Sequence, residues 1–292
     1  MSVNFTIDES LCINCGLCMQ ECGHHEGKQQ LKRVVPDNPD CSRCYHCYTI
    51  CPSGAIHTCD GSSAPLFNRA KLQEITSENL LNFLGYRRSI RSFKQKQIDN
   101  SLIEELLSFA RYIPSGGNAH SYEFTVLKGD SEVTKSLKKE LEHIYEKRSM
   151  LLNNIFLRNL AKPFVNGLAR GFLRDREYRI RISKLVEQLH NKEDVFFRNA
   201  PDIVILHSKA IIPTPKEDCI LAGYNITMLA QAKGLGSCFV TLAQNAINSS
   251  SRCKKVLNLS KNEQVYAVVI LGYPAVNHLR IAPKKEKTIQ WL

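Results

Sequence analysis

The pattern of hydrophobic and polar positions predicts a helix-rich segment after about residue 75. Apolar residues recur at helical spacing in four stretches: ENLLNFLGYRR, IDNSLIEELLSFARYI, SEVTKSLKKELEHIYEK and EDCILAGYNITMLAQAKGLG. Four other stretches are typical of strands: YEFTVLKG, PDIVILHSK, CFVTLA and QVYAVVILGYP. Residues 150–190 are also predicted to be helical, so helices outnumber strands, and the two kinds of element do not alternate as regular βαβ units. The pattern therefore predicts an α+β fold rather than a doubly wound one.

The first part of the chain lacks this periodicity. Residues 58–75, with DGSSAP as the most turn-like part, are predicted to be a linker. We therefore predict two domains, at residues 1–65 and 66–292. Within the second, residues 140–190 are predicted to form a basic helical insertion. No G-x-G-x-x-G or P-loop pattern occurs, which argues against a built-in nicotinamide domain.

Eight of the twelve cysteines lie in two short runs, CINCGLCMQEC and CSRCYHCYTICP. Both have the spacing C-x2-C-x2-C-x3-C, which resembles the arrangement of bacterial ferredoxins, where the fourth cysteine of each run ligates the other cluster. Structural zinc usually takes two separated pairs of ligands, and disulfides between such near neighbours would close small strained loops. The resemblance predicts two [4Fe–4S] clusters, one on Cys12, Cys15, Cys18 and Cys51, and the other on Cys41, Cys44, Cys47 and Cys22.

Composition and charge indicate where the protein is located and what kind of partner it binds. The longest apolar run, AVVIL, is too short to span a membrane, and many cysteines without a secretory signal favour a reducing, cytoplasmic location. The net charge is +11, but residues 1–65 carry −3 and the rest +14, with the densest basic stretch at 158–184. No nucleic-acid-binding motif accompanies this charge. We expect the basic face to attract an acidic electron carrier, such as a ferredoxin or flavodoxin.

Three further stretches have residues suited to binding a flat anionic ligand. RRSIRSF supplies arginines and serines that can bind an anion, although the same residues would also suit a solvated basic helix end. IPSGGNAHSYEF is a glycine-rich turn that lets backbone approach a ligand, or an ordinary loop. KGLGSCFVT turns from a helix into a strand without bulky residues, as a simple turn also does.

Together with LGYP, and in this order, these stretches resemble the motifs of the FMN-dependent nitroreductase family. The resemblance covers roughly residues 80–292 and implies an intertwined homodimer with FMN at its interface. It implies that Arg87, Arg88, Ser89 and Arg91 hold the phosphate, ribityl chain and pyrimidine edge of FMN. It also implies that Lys284 and Lys285 close on the phosphate. The remaining implied contacts are Pro114, Ser115, Gly116, Asn118 and His120 from the partner subunit, and Phe239, Val240 and Thr241 against the ring.

In this family the flavin carries the chemistry, so the resemblance implies no catalytic acid or base. It places the reaction at flavin N5, beside the backbone near Thr241. Four positions depart from the usual family residues. Phe239 replaces tryptophan, Thr241 stands where glycine is common, His120 stands where glutamine is frequent, and Tyr122 follows instead of the usual proline. These departures bear on substrate choice more than on FMN binding.

The combined pattern predicts a ferredoxin–nitroreductase fusion. Electrons from a low-potential donor would pass through two [4Fe–4S] clusters to FMN and on to a small electron-poor acceptor, such as a nitroaromatic or a quinone. Two alternatives stay open. One is a flavin enzyme of another reaction type, such as reductive dehalogenation or flavin breakdown. The other is a non-enzymatic redox or iron–sulfur sensor.

Overall fold

The computed structural model describes residues 5–22, 33–34, 41–58, 74–161, 163, 167–283, 285 and 287–292. The predicted boundary at residue 65, most of the predicted linker and the predicted phosphate ligand Lys284 lie outside these residues. The chain divides into two units. The first comprises Met1–Ser77 with Ser115–Ala119, and the second comprises Glu78–Pro114 with His120–Leu292.

The first unit has two short strands and two short helices. Strands β1 (Phe5–Ile7) and β2 (Ile56–Thr58) pair in antiparallel fashion, with Phe5 opposite Thr58. Helices α1 (Leu17–Glu21) and α2 (His46–Ile50) each follow the second cysteine of one run. Phe5, Val34 and Ile56 are buried together. Five of the cysteines pack against this small core: Cys18, Cys22, Cys41, Cys47 and Cys51.

The second unit is built on a four-stranded antiparallel sheet in the order β3-β4-β6-β5. The strands are β3 (Glu123–Lys128), β4 (Asp202–Lys209), β5 (Gly236–Phe239) and β6 (Glu263–Gly272). Strands β4 and β6 are almost wholly buried, which explains their continuous runs of valine, isoleucine and leucine. Mixed helices and an antiparallel sheet confirm the predicted α+β class.

Helices cover the sheet and form two apolar cores. The helices are α3 (Ser77–Tyr86), α4 (Asn100–Phe109), α5 (Glu132–Asn153), α6 (Ile155–Ala161), α7 (Gly167–Arg174), α8 (Arg176–His190), α9 (Pro215–Ala232), α10 (Thr241–Asn248) and α11 (Ser251–Val256). One core joins α4 and α9 to Val204, Leu206 and Val269 of the sheet. The other contains Ile203, Ile205 and residues of α5, α8, α10 and α11.

One predicted element is wrong in part. CFVTLA was expected to continue as a strand, but β5 ends at Phe239 and α10 begins at Thr241. The reason lies in the positions that follow, because Ala243, Ala246 and Ile247 recur at helical spacing and are fully buried against the sheet. Short apolar runs do not by themselves distinguish a strand from the start of a buried helix.

Most of the described residues in 140–190 lie in helices α5 to α8, and the extended residues Asn154 and Asp175 separate successive helices. Ile182, Leu185 and Leu189 of α8 are buried in the same core as Leu141 and Tyr145 of α5, so these two helices contribute to the fold's interior. That the segment is an insertion relative to the family stays a prediction. Within the described residues, no helix is long and apolar enough to cross a membrane.

Candidate functional site

The two cysteine runs share one backbone conformation although their intervening residues differ. The residue before the second cysteine is left-handed in both, with φ 51° at Asn14 and 55° at Arg43. The residue after it is also left-handed, with φ 78° at Gly16 and 58° at Tyr45. Alternation of this kind turns successive backbone N–H groups toward one side and creates the concavities that bind anions and iron–sulfur clusters. The local backbone therefore fits the predicted cofactor.

The first predicted ligand set meets around one cavity. Cys12, Cys15 and Cys18 line it together with Cys51, which comes from the other run. Burial pushes the pKa of Cys51 upward, but hydrogen bonds from Ser53 and from nearby backbone N–H groups outweigh it and hold the pKa below its ordinary value. Such donors around a sulfur are the usual means by which a protein stabilises a cluster-bound thiolate.

The second predicted set gathers around Cys47. Burial, followed by the neighbouring thiols of Cys22, Cys41 and Cys44, raises the pKa of Cys47 to about 11. A half-buried thiol among three others ionises with difficulty unless a cation offsets the negative charge, as the iron of a cluster would. The remaining described cysteines, Cys219, Cys238 and Cys253, are buried in the second unit, and burial together with Asp218 raises the pKa of Cys219 to about 12.

The segment Ser115–Ala119, predicted to cover the flavin, belongs to the first unit. It forms a 3₁₀ turn over Gly116–Asn118, and Asn118 is left-handed with φ 55°. The side-chain amide of Asn118 donates to the carbonyl oxygens of Ser42 and Arg43, at 3.2 Å and 3.0 Å. Both carbonyls lie between two predicted cluster ligands. The predicted contact of Asn118 with FMN stays a prediction.

In the second unit, the arginine-rich segment 87–93 lies between the ends of two strands. Ser89 bridges Ser237 of β5, and the N–H of Ile90 donates to the carbonyl of Ser237 at 2.9 Å. Phe93 bridges Pro274, just beyond β6. Backbone contacts therefore join three of the four motifs recognised in the sequence, although the arginine segment precedes the other two by well over a hundred residues.

Two glycines permit this close approach. A Cβ at Gly236 would lie 2.7–2.9 Å from side-chain atoms of Ile90. A Cβ at Gly272 would lie 2.7 Å from both Phe93 and Pro201. These distances are shorter than real carbon–carbon contacts, so any larger residue would displace the arginine segment.

Gly236→Ala is therefore expected to destabilise the fold by about 1–3 kcal/mol, the usual cost of overpacking. It should also weaken flavin retention, because the displaced segment carries Arg88 and Arg91. Urea denaturation and flavin content measure the two effects. The matched control is Gly171→Ala on α7, where a Cβ would meet nothing within 4 Å. A Gly236→Ala variant as stable as this control would contradict the packing argument.

Two cavities flank the arginine segment. Arg88 and Ile90 line the first with Gly236 and Ser237 of β5. Nη1 of Arg88 donates to the carbonyl of Arg87 at 2.8 Å, whereas its Nη2 is buried without a hydrogen-bond partner. A buried guanidinium donor of this kind calls for an acceptor. The phosphate or ribityl oxygens of FMN would supply one, so Arg88 fits the predicted cofactor.

The second cavity brings together four of the predicted ring contacts. Arg91, Phe239, Val240 and Thr241 all line it. Gly223 of α9 makes room for the Phe239 ring, since a Cβ there would lie 3.1 Å from two of its atoms. The exposed Arg91 and the start of α10 at Thr241 give this cavity a positive, polar rim.

The other predicted residues are placed as follows. Pro114 is exposed and Ser115 and Gly116 are half-buried. His120, left-handed with φ 43°, lies edge-on to Tyr122. Lys285 is exposed, and among the described residues it contacts none of the other predicted FMN ligands.

Sequence reasoning missed two supports of the site. Asp218, fully buried on α9, accepts the backbone N–H of Ser121 at 3.0 Å and the hydroxyl of Thr214 at 3.0 Å, so it anchors the strand-side end of the glycine-rich loop. Arg198 lines the same cavity as Arg91. No motif pointed to either residue, because an isolated charge in a helix or loop has no distinctive spacing.

Comparison with known proteins identifies the second unit. A model of the nitroreductase family matches residues 84–273, which is most of the chain. The chain belongs to the nitroreductase family. A 4Fe-4S dicluster domain model matches residues 4–69. The predicted fusion of a ferredoxin-like domain with a nitroreductase domain is therefore confirmed, and with it the class of the protein as an oxidoreductase.

Two curated relatives are iodotyrosine deiodinases. One, from Nematostella vectensis, is 21% identical over 72% of this chain and 74% of its own length. The other, from Haliscomenobacter hydrossis, is 24% identical over 68% of this chain and 81% of its own length. Among solved structures, a nitroreductase with bound FMN from Desulfitobacterium hafniense matches with a TM-score of 0.53 and 18% identity, covering 74% of this chain and all of that one. At this identity the likeness concerns the fold.

At the level of the two families, the cofactor prediction of FMN and two [4Fe–4S] clusters is confirmed.

Proposed function

We propose that this nitroreductase-family protein transfers electrons from a low-potential donor, through two [4Fe–4S] clusters and FMN, to a small electron-poor acceptor such as a nitroaromatic or a quinone. The observation that carries the proposal is the doubled cysteine geometry on the same chain as a nitroreductase domain. Clusters pass single electrons, whereas a flavin can collect two and deliver them to an organic acceptor at N5.

The positions of the cysteines support their proposed division into two sets of cluster ligands. Cys12, Cys15, Cys18 and Cys51 would hold one cluster, because they line a single cavity. Cys41, Cys44, Cys47 and Cys22 would hold the other, because their thiols act on one another across a short distance. The paired left-handed turns at Asn14–Gly16 and Arg43–Tyr45 would direct backbone N–H groups at the bound sulfurs.

The proposed FMN site uses this chain's arginine segment. Arg87, Arg88 and Ser89 would bind the phosphate and ribityl oxygens, and Arg91 would face the pyrimidine edge, where a cation stabilises the reduced anionic ring. Support comes from the unpartnered Nη2 of Arg88 and from the cavity that Arg91 shares with the start of α10. Val240, Thr241 and the phenyl ring of Phe239 would exclude water from one side. The other proposed contacts are Pro114, Ser115, Gly116, Asn118, His120, Lys284 and Lys285.

We further propose a homodimer and an acidic electron carrier as partners. Large apolar side chains near the end of the chain favour a subunit interface, because Leu279 is 85% exposed and Trp291 is 88% exposed. The exposed arginines Arg174, Arg176 and Arg181 near the junction of α7 and α8 suit an acidic carrier.

A donor comparison tests the electron route in the full-length chain. Wild type should reduce an acceptor faster with reduced ferredoxin than with NADH. A Cys15→Ser, Cys44→Ser double variant should bind FMN and accept electrons from dithionite, yet lose ferredoxin-driven turnover. The variant lacks one ligand of each proposed cluster, so electrons from reduced ferredoxin would have no route to FMN. Undiminished ferredoxin-driven turnover in the variant, or faster turnover with NADH in wild type, would show that electrons do not enter through the clusters.

Reductive dehalogenation is a second candidate, favoured by the two relatives named iodotyrosine deiodinase. In that reaction two electrons and a proton replace a carbon–halogen bond with a carbon–hydrogen bond, and halide leaves. Anaerobic assays with a nitrophenol and the matching iodophenol separate the two candidates. Preferential release of iodide would favour dehalogenation over reduction of nitro groups.

A further inference from the structure

Arg198 occupies a position in the second unit that the proposed function does not yet explain. It is half-buried and lines a cavity of about 250 Å³ together with Arg91, Phe239, Val240 and Thr241. Two arginines therefore face one space beside the proposed ring contacts.

The backbone at Arg198 adopts a strained, left-handed conformation. Arg198 and Asn199 are both left-handed, with φ 55° and 52°. Left-handed conformations of residues other than glycine are uncommon and cluster at functional sites, where the surrounding structure enforces them. The strained turn therefore indicates a role for the Arg198 side chain.

Asp194 enforces the turn. Its carboxylate accepts the backbone N–H of Phe197 at 2.9 Å and that of Asn199 at 3.0 Å. The same carboxylate is paired with Nζ of Lys138 at 2.6 Å and is nearly buried. Its negative charge is thus engaged by Lys138, so Asp194 shapes the turn without neutralising Arg198.

The charge of the cavity is correspondingly unbalanced. Across the residues that the structure describes, no ion pair joins Arg91 or Arg198 to a carboxylate. No aspartate or glutamate lines the cavity. Two like charges around one partly enclosed space repel each other unless an anion lies between them, and an arginine fork suits an oxyanion in particular.

We infer that Arg198 is a specificity-determining residue that binds a carboxylate on the acceptor, so that this protein prefers anionic acceptors to neutral ones. The inference rests on the proposed function, because it takes this cavity as the acceptor side of the flavin site. In this arrangement Arg91 would contact the flavin ring, and Arg198 would bind the carboxylate of the acceptor. An oxyanion of FMN itself is the other possible ligand of the same chemistry, and the test separates the two.

The test compares binding of 4-nitrobenzoate and nitrobenzene to the oxidised FMN-loaded protein, followed by the change in flavin absorbance. Arg198→Asn is the main variant, since asparagine tolerates the left-handed backbone better than most residues. It should bind 4-nitrobenzoate about 10- to 100-fold more weakly than wild type, the fold-change expected for losing a charge-assisted hydrogen bond. Nitrobenzene binding, flavin content and flavin midpoint potential should not change. Arg198→Lys should restore part of the affinity.

The control is Arg252→Ala, which removes an exposed charge on α11 and should bind both compounds as wild type does. Equal weakening of both compounds in Arg198→Asn, or no weakening of either, would overturn the inference. Loss of flavin or a shifted potential in that variant would assign the oxyanion to FMN instead and also overturn it. Because the readout is binding, these outcomes are distinct from a wild type that binds but does not turn over, which would count against the proposed function alone.

Discussion

Cys44→Ser is expected to lower the iron content from about eight to about four per chain, because it removes one ligand from one of two [4Fe–4S] clusters. Cys44 lies close enough to Cys47 to contribute to its raised pKa, as do Cys22 and Cys41. The other set, around Cys51, shares no member with this group. Iron analysis and electron paramagnetic resonance of anaerobically purified protein should therefore show one surviving cluster.

The control for this prediction is Cys219→Ala. Cys219 is fully buried on α9, and burial raises its pKa to about 12, so it should ligate nothing. This variant should keep about eight iron per chain. Zinc in place of iron in the wild type, or an unchanged iron content in Cys44→Ser, would contradict the assignment.

Arg87→Ala combined with Arg91→Ala is expected to remove most of the bound FMN. Each arginine would supply charge-assisted hydrogen bonds worth about 1.5–3 kcal/mol, so the double variant should bind FMN at least about 100-fold more weakly. Both residues lie in the segment that Ser89 and Phe93 fix against the sheet, so their positions do not depend on each other's side chains. Flavin absorbance after gel filtration and titration of the apoprotein with FMN measure the loss.

A matched variant separates this effect from a change in overall charge. Arg174→Ala with Arg176→Ala removes the same two positive charges from exposed positions on α7 and α8. It should retain FMN at wild-type occupancy. Full occupancy in the Arg87→Ala, Arg91→Ala variant would refute the proposed placement of the flavin.

The sequence by itself determined the features that depend on neighbours along the chain. The repeated C-x2-C-x2-C-x3-C spacing predicts two clusters, since three thiolates three residues apart are held together by a few backbone angles. The structure shows that those angles recur in both runs, with left-handed residues at Asn14 and Arg43. Likewise, the order of RRSIRSF, PSGGN, GLGSC and LGYP was enough to predict the family, which the family model confirms.

The tertiary structure alone decided which distant residues meet. It placed Ile90 against Gly236 and Phe93 against Gly272, which explains why those two glycines are needed. It turned the chain into a helix at Thr241 because Ala243, Ala246 and Ile247 find a buried face there. It also brought Arg198 beside Arg91, through a turn set by Asp194 and Lys138. Contacts of this kind depend on how the helices and strands pack, and no spacing within a single stretch of sequence encodes them.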